Sequence, residues 1–249
     1  MNSRKSTESQ RGRAGLVEPG VDLAAIRLRL TKMTDRILMR LHDRAGFPLN
    51  LAIYRPGAIP IPNRPGMSLF DFAVEGLEAY HASLGRYDFP DQFPLGDPKG
   101  HAAAAVERPV AKNRERVEIP LRDDLVTFYT GEVLPRLCID DDDPNSYGES
   151  AYADADLLAL LNERVNVGRD VARSKIERDR SLLGLVDDPG ALREQLQDRE
   201  REARVIADAK TAAERYGLDP ELAGSVFEWV IARTLTLEVE FLRLLPPSN

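Results

Sequence analysis

The residues with the most chemical content lie in the stretch NERVNVGRDVARSK at positions 162–175. At about 100° per residue, Leu157, Leu161, Arg164, Gly168, Val171 and Lys175 fall within an arc of roughly 80° on one helix. Glu163, Asn166, Asp170 and Arg173 take the opposite side, so this helix has an ordinary solvated face and still directs two cations inward. The pattern recurs elsewhere. Phe227, Ile231, Thr234, Glu238, Phe241 and Leu245 form one seam with two polar members, which puts Glu238 among apolar neighbours. Glu202 lines up with Ile206, Ala209, Ala213 and Tyr216, with Asp198 one turn before it. Arg27 borders the arc of Leu23 and Leu30.

A single inward arginine or glutamate commonly extends its head to water or pairs with an opposite charge. Four helices that each direct a charged residue inward are harder to explain that way, because unpaired burial costs several kcal/mol per ion. A polar pocket between the helices, filled by a charged ligand, accounts for them together. Arg27, Arg164 and Lys175 supply three positive charges, which suits a ligand with two carboxylates. Along a continuous helix Arg164 and Lys175 are about 16 Å apart, and their long side chains converge from both ends. Gly168 between them is expected to leave room for the bound molecule.

The elements that must position these groups read as helices. Apolar residues at Leu23, Ile26, Leu30, Met33, Ile37 and Leu41 step by three and four, which predicts a helix over 22–45 ended near Gly46 and Pro48. A connection with five prolines follows, FPLNLAIYRPGAIPIPNRPGMS. Ser68 caps a second helix to about Tyr87, and an irregular segment runs on to about Ile119. Further helices are expected at about 120–137, 151–180, 189–216 and 220–245, with the acidic run IDDDDPNSYG as a solvated turn. No alternating strand pattern of useful length and no internal repeat is present. The expected fold class is all-α, a single domain over 21–249 behind a flexible tail at 1–20.

The composition narrows the class of function. The 249 residues are 43% hydrophobic and 30% charged, with a formal net charge of -7 and a pI near 5.2. That balance argues against a nucleic-acid surface or a polybasic membrane face. Cys138 is the only cysteine, so no intrachain disulfide forms and a reducing compartment fits. His42, His81 and His101 lack metal-ligand spacing, so no metal is expected. No apolar run reaches the roughly 18 residues of a membrane span, and the first residues lack a signal-peptide core. A cytoplasmic location is expected.

Several stretches carry a family resemblance: IRLRLTKMTDRI, LEAYHASLGRYDFPDQFP, NSYGESAYADADLLALLNERVNVGRDVARSK, DREREARV, ERYGLD and TLTLEVEFL. In order and spacing, from about Asp22 to Leu245, the chain resembles the all-helical chorismate mutases of fungi and plants. The resemblance implies a homodimer of helical subunits that converts chorismate to prephenate without a cofactor, for phenylalanine and tyrosine synthesis. It implies that Arg27 and Arg164 hold the substrate's two carboxylates, and that Lys175 binds the ether oxygen and a carboxylate. Glu202 would lie near the ring hydroxyl, with Asp198 where this subtype usually has Asn. Thr234 and Glu238 match the last-helix pair, Glu238 facing the ether oxygen. A mutase or pyruvate lyase acting on 4-amino-4-deoxychorismate or isochorismate, and a non-catalytic chorismate-binding protein, are the alternatives.

The resemblance also bears on regulation. The family's effector site uses an arginine pair at a helix end and a Gly-Ser segment with a nearby Thr. Here those positions read Gly85-Arg86 and Gly148-Glu149 with Tyr152. One arginine and the serine are missing, and Glu149 would repel an amino acid's carboxylate, which predicts a vestigial site.

Overall fold

The computed structural model describes residues 22–89, 91–96, 105–106 and 116–245. The tail assigned to residues 1–20 lies outside the described residues. Within them the regular elements are helical: α1 (Leu23–Ala45), α2 (Leu69–Ser83), α3 (Arg122–Phe128), α4 (Leu134–Leu137), α5 (Tyr147–Asn166), α6 (Gly168–Arg178), α7 (Pro189–Leu196), α8 (Arg199–Arg215) and α9 (Pro220–Leu244). Their starts follow capping chemistry. Asp22 accepts a hydrogen bond from the Ala24 amide at 2.9 Å, Ser68 accepts one from the Asp71 amide at 3.0 Å, and Asp219 accepts one from the Glu221 amide at 2.9 Å. Each supplies an acceptor to amides that have no partner within the helix.

Four expected helices differ in extent or continuity. The second ends at Ser83, because Gly85 turns the chain through a left-handed conformation with φ 67° before the short 3₁₀ turn Arg86–Asp88. The third is interrupted by a π turn over Tyr129–Val133, which inserts a residue between α3 and α4. The fourth begins earlier, at Tyr147, and is divided at Val167 into α5 and α6. The fifth is two helices, because Gln197 is extended and Asp198 begins α8 afresh.

α5 is the central element, with α1, α2 and α9 packed on it, while α8 and α6 lie against α9. The sequence of α5 explains its position: Leu157, Leu158, Leu160, Leu161 and Val165 are all buried, so apolar side chains leave on more than one side. One polar node sits inside this core. Arg44 of α1 donates from Nε to Asp154 of α5 at 2.7 Å, and both side chains are fully buried. Tyr129 donates to the same carboxylate at 2.5 Å, and Tyr54 also donates to it. Arg44 then serves the carbonyls of Phe47, Pro48 and Leu49. An ion pair this deep is tolerable only because its remaining hydrogen-bonding capacity is met by such partners.

Candidate functional site

The inward polar residues converge. Arg27, Arg164, Lys175, Asp198, Glu202, Thr234 and Glu238 all line one cavity of about 180 Å³, whose apolar walls include Ile26, Leu30, Val171 and Ile231. α1 supplies Arg27 near its start, α5 supplies Arg164 in its last turn, α6 supplies Lys175, and α9 supplies Thr234 and Glu238 one turn apart. The remaining wall is the start of α8 with the turn before it. A cavity between helices, apolar with a few converging polar groups, is a common form of small-molecule site.

Arg164 is 5% exposed. Its Nε is buried without a hydrogen-bond partner, and no carboxylate lies within ion-pair distance of it among the described residues. Burial and the neighbouring Arg201 lower its pKa to about 10, partly offset by Glu238. Arg164 therefore keeps its charge at neutral pH and has a donor that nothing among the described residues satisfies. Buried donors in that condition are rare.

Lys175 is already engaged. It donates to the carbonyl of Leu196 at 2.6 Å and to Glu238 Oε2 at 2.7 Å. An ammonium has three protons, so one donor direction is left for a ligand. Glu238 is 4% exposed, and burial pushes its pKa up to about 7, with Glu202 adding to the rise and Lys175 and Arg164 opposing it. Burial outweighs the two cations, a balance that residue spacing leaves open.

Other side chains have duties beyond the cavity. Asp198 caps α8, accepting from the Arg201 amide at 3.1 Å. Thr234 donates to the Val230 carbonyl at 2.7 Å. Glu202 accepts from the side-chain amide of Gln197 at 3.0 Å. Arg27 is exposed at the cavity's edge. The expectation for Gly168 needs correction. A Cβ on Gly168 would stand 2.9 Å from Thr234 Cγ2 and 3.3 Å from the Thr234 carbonyl, so its missing side chain lets α6 approach α9 and leaves no space for a ligand.

The helical seams missed Arg178 and Arg201, which line the same cavity. Their absence would matter for charge. With all groups ionised, Arg27, Arg164 and Lys175 are balanced by Asp198, Glu202 and Glu238. Arg178 and Arg201 leave a surplus of two positive charges. A signal for Arg201 exists: Asp198, Arg201 and Val205 are spaced three and four apart, and all three line the cavity.

The residues expected at an effector site do not meet within the chain. Arg86 donates to Gln92 at 3.0 Å, lies 3.3 Å from the His81 ring and forms an ion pair with Glu163. Glu163 lies in the last turn of α5, whereas Gly148 and Glu149 lie in its first, about 22 Å away along the axis.

Comparison with known proteins shows what the chain as a whole is similar to. Residues 147–239 match the family described as chorismate mutase type II. A chorismate mutase of Emericella nidulans is 29% identical over 251 residues, covering 89% of this chain and 91% of its own. The crystal structure of the Candida albicans chorismate mutase in complex with L-Trp superposes with a TM-score of 0.83 at 24% identity, covering 90% of this chain and 91% of that one. The chloroplast chorismate mutase from Zea mays gives a TM-score of 0.78 at 25% identity, with 93% and 96% covered. By the family model over its second half and by likeness over most of its length, the chain is similar to the all-helical chorismate mutases of fungi and plants.

Proposed function

We propose that the cavity between α1, α5, α6, α8 and α9 is the active site, and that it converts chorismate to prephenate. The observation that carries this reading is Arg164, buried and charged with an unsatisfied donor beside Lys175, in a cavity with surplus positive charge. A substrate with two carboxylates satisfies that donor and offsets the charge. Arg164 and Arg27 clamp the two carboxylates, which holds the enolpyruvyl chain over the ring. Holding one molecule in a reactive geometry removes much of the entropic part of the barrier.

The rearrangement breaks a C–O bond while a C–C bond forms, and negative charge grows on the ether oxygen. Lys175 supplies a fixed cation at that oxygen, and Glu238 donates a hydrogen bond there in its neutral form. Donors placed in advance where charge develops lower the barrier without reorganising during the reaction. The apolar walls exclude water and strengthen both contacts. Glu202 receives the ring hydroxyl, and Asp198 and Thr234 border the substrate.

The assembly is a homodimer, and residues 21–249 act as one domain. The protein works in the cytoplasm, without nucleic acid or membrane as partner; a Zea mays relative is named as cytosolic, and no described helix is long and apolar enough to cross a membrane. Arg86, Gly148 and Glu149 are remnants of an effector site.

The test is direct. Purified protein mixed with chorismate is followed by the loss of chorismate absorbance and the appearance of prephenate. Turnover that disappears in Arg164→Ala supports the assignment. Chorismate left intact by the folded wild type overturns it.

A further inference from the structure

The turn between α7 and α8 carries two groups that belong to neither helix seam, one at Leu196 in the wall of the proposed site and one at Gln197, which reaches the wall residue Glu202 from outside the lining. Its backbone is fixed without help from side chains beyond Asp198. The Gln197 amide donates to the Arg193 carbonyl at 3.0 Å, and the Glu202 amide donates to the Asp198 carbonyl at 2.9 Å. With Asp198 capping α8 through the Arg201 amide, the direction of the chain at this point is settled. Two groups are then held in place. The Leu196 carbonyl takes one proton of Lys175 at 2.6 Å. The Gln197 side-chain amide donates to Glu202 Oε2 at 3.0 Å.

The Gln197 side chain is not needed for the turn, and it is only half-buried, so core packing does not explain it. Its contact instead selects a conformation of Glu202. A glutamate in the first turn of a helix has several rotamers open to it, and a hydrogen bond to one carboxylate oxygen holds one of them. With Oε2 occupied by Gln197, Oε1 is the acceptor left for a ligand. We infer that Gln197 is a positioning residue, which orients the Glu202 carboxylate toward the substrate's ring hydroxyl. The inference rests on the functional reading above and assigns a role outside the set of groups that touch substrate.

The experiment uses the full chain and measures kcat and KM for chorismate in Gln197→Ala, Gln197→Glu, Glu202→Ala and Glu202→Gln, alone and combined, with thermal melts of each. Loss of one hydrogen bond to a charged group predicts a fall of about tenfold in kcat/KM for Gln197→Ala, with the melting temperature unchanged. In the Glu202→Ala background, Gln197→Ala should cost nothing more, because the group it acts through is gone. Gln197→Glu sets two carboxylates against each other and should be worse than Gln197→Ala. Adding Glu202→Gln restores a donor and an acceptor with their direction reversed, and should recover activity relative to Gln197→Glu. Wild-type kinetics in Gln197→Ala, or equal losses in the presence and absence of Glu202, overturn the inference while the mutase reading stands. A wild type that leaves chorismate unchanged overturns both.

Discussion

Lys175 Nζ stands 2.7 Å from Glu238 Oε2, and burial nevertheless raises the Glu238 pKa to about 7. The neutral carboxyl dominates below that value and the carboxylate above it. Because only the neutral form can donate to the ether oxygen as proposed, kcat/KM should fall as pH rises through about 7. Glu238→Gln keeps a donor without a titrating proton, so it should stay active and lose the alkaline decline. Glu238→Ala should be poor at every pH. Profiles for the three proteins check this, and an unchanged alkaline limb in Glu238→Gln assigns the titration to another group.

Arg164→Ala and Lys175→Ala should each reduce catalysis by about 10²–10³, the usual range for removing a contact to developing charge in a preorganised site. The fold should survive, since neither cation holds the core together. Steady-state kinetics with circular dichroism distinguish lost chemistry from lost structure. Near-normal turnover in either variant removes the proposed site.

Arg201 lines the cavity without an ion-pair partner among the described residues, and it lies close enough to lower the pKa of Arg164. Arg201→Ala should raise KM by about fivefold with little change in kcat, as expected for a partly exposed cation that attracts a dianion. The effect should shrink at high ionic strength. Saturation curves at low and high salt report both features.

Tyrosine and tryptophan should leave the mutase rate nearly unchanged at millimolar concentration. Arg86 is committed to Glu163 and Gln92, and Glu149 brings negative charge to the other half of the expected effector site. Chorismate saturation curves with and without each amino acid test this. A clear shift toward or away from cooperativity would count against the vestigial reading.

The site was largely legible in the sequence because its residues break helical seams. Arg164, Lys175 and Glu238 are polar where a core helix wants leucine, and a 3.6-residue period makes the conflict visible. The all-α class followed from the same period. Gln197 was not legible, because it lies in a turn that propensity reads as the middle of one helix from 189 to 216. The Arg44–Asp154 node was hidden for a different reason. Its members are 110 positions apart, so although Asp154 shares the apolar seam of Ala151, Leu158, Leu161 and Val165, nothing local names Arg44 as its partner. Gly168 is visible in the sequence but ambiguous there, since a small residue between two cations suits either a ligand or a neighbouring backbone. Only the position of α9 decides which.

That position gives Gly168 leverage over the chemistry. A methyl group there would press on Thr234 and Leu237, the first of which shares the cavity wall with Glu238 one turn further along α9. Gly168→Ala should therefore cost about 1–3 kcal/mol of stability through overpacking, and it should also move the Glu238 carboxyl relative to Lys175, read as a displaced alkaline limb in the pH profile. Thermal melts and the same kinetic profiles check the two effects together. A displaced limb would show that the acidity of the proposed site depends on the thickness of a helix contact, so that variation outside the cavity can shift the working pH without altering any residue of the cavity wall.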